Sequence, residues 1–192
     1  SLTEAGRETA AEFASGPHNT VVSPDGSRAY LAAIGHDHLG VLDTRTDTVI
    51  AQVGPFGERL RPLALTGDGR FALVNVNFLS GFEVADLVTG KVLHRVRAEG
   101  WPWVDPKLPQ TQSHGVALSP DEREAWVNDA SNVRVQIFDV SALPESPRHL
   151  GSVDVRPPDA PDPPSPEMLP KWIRFTRDGR WVHVSNGAIV DA

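Results

Sequence analysis

The chain has 192 residues, with 18 Lys plus Arg against 25 Asp plus Glu and a formal net charge of −7. A net negative chain without a basic run excludes nucleic acid and anionic lipid surfaces as partners, and no apolar stretch approaches the roughly 20 residues that membrane insertion needs. The absence of Cys removes disulfides, thiolate catalysis and Cys-based zinc sites, while 16 Gly and 17 Pro in a chain that is 40% hydrophobic point to a folded, turn-rich, all-β domain.

In chain order, Ser1 to Ala11 lacks the apolar core of a signal peptide, so none is expected in this chain, and Arg7 to Phe13 reads as a lone β-strand. The first repeat unit, residues 16–53, holds four β-prone runs, Asn19–Val22, Arg28–Ile34, Leu39–Asp43 and Val49–Val53, here strands a to d. Ser23-Pro24-Asp25-Gly26 turns a into b, because Pro presets φ and Gly accepts φ > 0, and Thr44 to Thr48 turns c into d. The second unit, 59–97, repeats the first at an offset of 43 residues, carrying Ser23-Pro24-Asp25-Gly26 onto Thr66-Gly67-Asp68-Gly69 and Val41-Leu42-Asp43 onto Val84-Ala85-Asp86. The third, 113–156, follows at an offset of 96 with Ser119-Pro120-Asp121-Glu122 and Ile137-Phe138-Asp139. The fourth, 170–192, supplies Thr176-Arg177-Asp178-Gly179 but only a short second hairpin. Four-stranded units of this period predict a β-propeller of antiparallel blades, about four of them present. A jelly roll or immunoglobulin-like sandwich does not predict Asp43, Asp86 and Asp139 in ungapped register.

At these residues the chain resembles the YVTN-type β-propellers, which are similar to lactonase-like seven-bladed propellers. The signature strand stands here as Tyr30-Leu31-Ala32-Ala33, Leu73-Val74-Asn75-Val76, Trp126-Val127-Asn128-Asp129 and His183-Val184-Ser185-Asn186, preceded by the Asp-Gly turns and followed by an Asp43-Thr44 turn. The resemblance implies a seven-bladed ring of which these units form a part, and this reading is favoured. The competing one is a closed four-bladed ring, in which residues 1–15 supply the outer strand of a neighbouring blade. Because propellers of the family are often exported, it also implies a periplasmic or extracellular location.

Antiparallel a to d strands put the d–a and b–c loops on one face, and nearly everything irregular falls there. Strand a starts with His18, Arg61, His114 and Lys171 in the four units, and the b–c loops carry His36, Asp37, His38, Asp129, Asn132 and Asn186. Two long d–a connections add Trp101-Pro102-Trp103 and the six prolines between Pro157 and Leu169. His18 and His114 occupy one repeat position, so both imidazoles can face the central channel. There, with His36 or His38, they could hold a divalent metal or act as a base, or each could cap its own turn. Trp101 and Trp103 read as a platform for a flat ligand or a protein partner, or as packing over the blades. Trp126, Trp172 and Trp181 read as inter-blade core, Asp25, Asp68, Asp121 and Asp178 as turn formers, and Asp43, Asp86 and Asp139 as structural strand ends.

Two functions are expected to compete. The first is a non-catalytic module that binds a small-molecule ligand or a protein partner through the d–a and b–c face, using His36, His38, Trp101, Trp103, Asp129 and Asn186 and no cofactor. The second is the lactonase-like alternative that the resemblance implies, hydrolysis of a cyclic ester. His18 or His114 would be the base and Arg61 or Lys171 would stabilise negative charge, with a metal on His18, His36, His38 or His114 as an option.

Overall fold

The computed structural model describes residues 16–101, 112–161 and 165–192. Blade 1 consists of β1 (Pro17–Val22), β2 (Arg28–Ala33), β3 (Leu39–Asp43) and β4 (Thr48–Val53), paired in that order. Blade 2 is β5 (Leu60–Leu65), β6 (Phe71–Val76), β7 (Gly81–Asp86) and β8 (Lys91–Arg97), and blade 3 is β9 (Ser113–Leu118), β10 (Glu124–Asp129), β11 (Arg134–Asp139) and β12 (Arg148–Asp154). The fourth sheet has three strands, β13 (Ile173–Phe175), β14 (Trp181–Val184) and β15 (Ile189–Asp191). Every pairing is antiparallel, and the innermost strands β1, β5, β9 and β13 contact one another in series. The architecture is that of β-propeller blades, and in blade 1 the strand limits match the sequence reading to within two residues. Arg7 to Phe13 and Trp103 lie outside the described residues.

Each a–b turn is built by the same side chains. The Ser or Thr hydroxyl donates to the Asp two residues on, at 2.5 Å in Ser23–Asp25, 2.6 Å in Thr66–Asp68, 2.7 Å in Ser119–Asp121 and 2.5 Å in Thr176–Asp178. The same oxygen accepts the amide five residues on, at 3.0 Å from Arg28, Phe71, Glu124 and Trp181. Hydrogen bonds from Ser23 and Ser27 hold the Asp25 carboxyl at about 2. The next position requires φ > 0, which Gly26 (72°), Gly69 (69°) and Gly179 (73°) accept freely and Glu122 (57°) also adopts. The c–d turns are closed by Asp43, Asp86 and Asp139, whose Oδ1 atoms accept backbone amides at 2.8 to 3.0 Å.

Alternation along the strands sends apolar side chains to both faces of a blade, so cores form between blades. Tyr30, Val41, Leu63 and Val74 share the core between blades 1 and 2, Leu73, Phe82, Val127 and Phe138 that between blades 2 and 3, and Trp126, Val135, Ile173 and Val182 the next. Burial of each large side chain contributes about 1.5–3 kcal/mol. Covered on both sides, β6 and β7 are buried throughout, whereas β4 exposes five of its six residues.

Candidate ligand-binding site

The inner strands do not run regularly to their first residues. In blade 1, Pro17 pairs with Ala33 and Asn19 with Ala32, leaving His18 as an extra residue. Blade 2 shows the same irregularity between Leu60 and Leu63, around Arg61, and blade 3 between Ser113 and Val116, around His114. A β-bulge lifts its extra residue out of the alternation and re-aims the side chain, and three repeat-equivalent bulges here do so on one face.

The bulges bring His18 and His114 together: their Nε2 atoms are 3.1 Å apart, one ring donating to the other. The rings meet edge to face at 4.8 Å between centroids. Trp172 completes the cluster, stacked on His18 at 6.0 Å and 10° and perpendicular to His114 at 5.4 Å. Trp172 is thus not inter-blade core: it precedes β13 and is 46% exposed, with its amide and that of Lys171 held by Ser185 Oγ at 3.0 and 2.9 Å. Trp181 likewise stays outside the third core and lies under the Arg180 guanidinium at 5.0 Å. Trp126 is buried as expected.

Burial disfavours charge on both imidazoles. His114 is pushed down to about 4 by burial first, then by the neighbouring charges of His18 and Arg61. His18 is lowered by burial and by Arg61. Both Nδ1 atoms are buried and neither has a hydrogen-bond partner among the described residues, so no carboxylate among them orients either ring. Arg61 is only 9% exposed and donates through Nε to Asn77 Oδ1 at 2.7 Å. It forms no ion pair among the described residues, and burial and the Arg59 charge lower its pKa.

The other sequence candidates are drawn into the frame. Asp129 is wholly buried, and its carboxylate accepts Gln112 at 2.9 Å, Asn132 at 2.8 Å, Gln136 at 2.8 Å and Ser80 at 3.4 Å. Asn186 donates to the Val155 carbonyl at 2.9 Å and the Met168 carbonyl at 3.3 Å, tying down the proline-rich connection. Trp101 packs against the second core with Arg134 stacked over its ring at 4.6 Å. His38 pairs with Asp37 at 2.7 Å, and His36 lines a depression of about 320 Å³ with Asp37, Phe56, Glu58 and Arg59. Among the described residues no three His, Asp or Glu side chains gather where they could hold a metal.

Sequence reasoning passed over the polar frame: Gln112, Gln136 and Asn77, and the Glu83–Arg95 ion pair, whose carboxylate also accepts the Gly57 amide at 2.9 Å. None carries a motif; only the strand alternation that turns Glu83 and Gln136 inward could have pointed to them.

No family model matches the chain, and no curated protein matches it by sequence. Among solved structures it is similar to hydrazine synthase from Kuenenia stuttgartiensis, with a TM-score of 0.66 and 19% identity over 88% of this chain and 42% of that one. It is also similar to a protein from Bacteroides fragilis described as a "putative 6-phosphogluconolactonase", with a TM-score of 0.62 and 17% identity over 91% of this chain and 53% of that one. The chain therefore spans about half the length of these structures. At such identity the likeness establishes the fold alone, and the fold is a β-propeller.

Proposed function

We propose that the chain is a non-catalytic propeller module that binds a ligand or protein partner through the d–a and b–c face, at the point where the three bulges converge. The observation that carries this reading is the partnering of His18 and His114. Each imidazole faces the other and an aromatic ring, and among the described residues no carboxylate orients either, as one would orient the general base of a hydrolytic set. Neutral imidazoles, a half-exposed indole and a buried guanidinium make a surface suited to recognition.

A second reading, hydrolysis of a cyclic ester with His18 or His114 as base, draws support from the name of the Bacteroides fragilis protein. Hydrolysis of 6-phosphogluconolactone and of δ-gluconolactone, followed by proton release, separates the two. The binding module leaves both at their spontaneous rates. Turnover that disappears in a His18→Ala, His114→Ala double variant would overturn the non-catalytic reading in favour of the hydrolase.

A further inference from the structure

Arg61 is the feature that the frame does not explain. A buried charge is ordinarily paired, because taking a guanidinium out of water costs several kcal/mol unless a counter-charge offsets it. Arg70, Arg95, Arg134 and Arg148 each meet a carboxylate, while Arg61, more buried than any of their side chains, meets only the neutral Asn77 among the described residues. Arg61 occupies the bulge equivalent to those of His18 and His114, and Lys171 stands at the same repeat position in the fourth unit. Four strand starts therefore carry four nitrogen-bearing residues, and no carboxylate, at one repeat position. One partly exposed aromatic accompanies them, Trp172, stacked on His18.

Resting on the binding-module reading above, we infer that the ligand is a small oxyanion, a carboxylate or a phosphate monoester with a flat or apolar body, whose negative charge is the missing partner of Arg61 and whose body lies against Trp172. A guanidinium matches the two oxygens of either group, and His18 or His114 adds one N–H donor. The anion also offsets the mutual repulsion of Arg59 and Arg61.

The test is calorimetric titration of the whole chain with sodium benzoate, with inorganic phosphate and with benzyl alcohol as the uncharged counterpart of benzoate. It is run on the wild type, Arg61→Gln and Arg61→Lys, with thermal melting to verify folding and the His18 and His114 ring resonances to locate the probe. Saturable binding of benzoate or phosphate is expected, weakened roughly tenfold or more in Arg61→Gln, as loss of a charge-assisted bond implies, and partly retained in Arg61→Lys. Binding of benzoate alone assigns a carboxylate ligand, and of phosphate alone a phosphate. The inference is overturned if neither anion binds, or if Arg61→Gln binds as tightly as wild type. Benzyl alcohol binding as well as benzoate while moving the His18 and His114 resonances would also overturn it, yet leave the binding-module reading standing.

Discussion

Acidification should destabilise the protein through His114 before the turn aspartates respond. In the folded chain His114 is held down to about 4 against an ordinary value of 6.5, first by burial and then by the charges of His18 and Arg61. The folded form therefore stays neutral while the unfolded form takes up a proton as pH falls below 6.5. Proton binding by the unfolded state alone lowers stability through that window, and the loss is complete near pH 4. At 1.36 kcal/mol per pH unit the depression corresponds to about 3 kcal/mol, a large share of a typical margin of 5–15 kcal/mol. His18, lowered by burial and Arg61, adds in the same direction. The carboxylates work in a separate window. Asp25, at about 2, and Asp68, Asp121 and Asp178, all lowered by their turn hydroxyls, stabilise the fold above the usual carboxylate range and lose this only as pH falls below about 4. Urea unfolding at intervals between pH 7.5 and 4, on wild type and on His114→Phe, isolates the effect, since Phe keeps an aromatic ring against Trp172 but cannot titrate. The wild type should lose about 3 kcal/mol more than the variant over this range. Parallel curves would refute the argument that the fold holds His114 neutral.

Three further outcomes follow from the packing. Asp129→Ala strips the acceptor from the Gln112, Asn132 and Gln136 side-chain amides, two of them wholly buried, and should cost about 3 kcal/mol or more in urea unfolding. Gly81→Ala should cost a similar amount, about 3 kcal/mol, because Gly81 sits at φ 150° and an added Cβ would lie 2.1 Å from the Val96 carbonyl oxygen. Arg61→Gln should leave the ligand-free protein as stable as wild type or raise it by up to about 1 kcal/mol, since it removes a buried charge that has no counter-ion among the described residues. A lowered melting temperature for this variant would mean that a protein group pairs with Arg61.

The fold was legible because its cause is local and recurs. Ser23-Pro24-Asp25-Gly26 and its three successors each close a hairpin with their own side chains, and Asp43, Asp86 and Asp139 close the c–d turns in the same way, so spacing alone located the blades. The equivalence of His18 and His114 was readable for the same reason. Their contact was not, because it depends on bulges, and a bulge is a mismatch between two strands rather than a property of either sequence. Asp129 looked like a loop carboxylate free for a ligand; its burial follows from Gln112 and Gln136, far apart in sequence, meeting it across the sheet. Trp172 reads like the other strand tryptophans, yet the fourth sheet starts one residue later, at Ile173, and leaves the indole half-exposed against His18 and His114.

The convergence of His18 and His114 is the claim on which the site depends, and a chain without cysteine allows it to be tested by cross-linking. In a His18→Cys, His114→Cys variant, dibromobimane, which fluoresces when it bridges two thiols, should form an intramolecular bridge rapidly. A His18→Cys, His149→Cys control should not, because His149 lies on the outer strand against Phe138 and Gln136. Equal rates in the two variants, or no bridge in the first, would contradict the site.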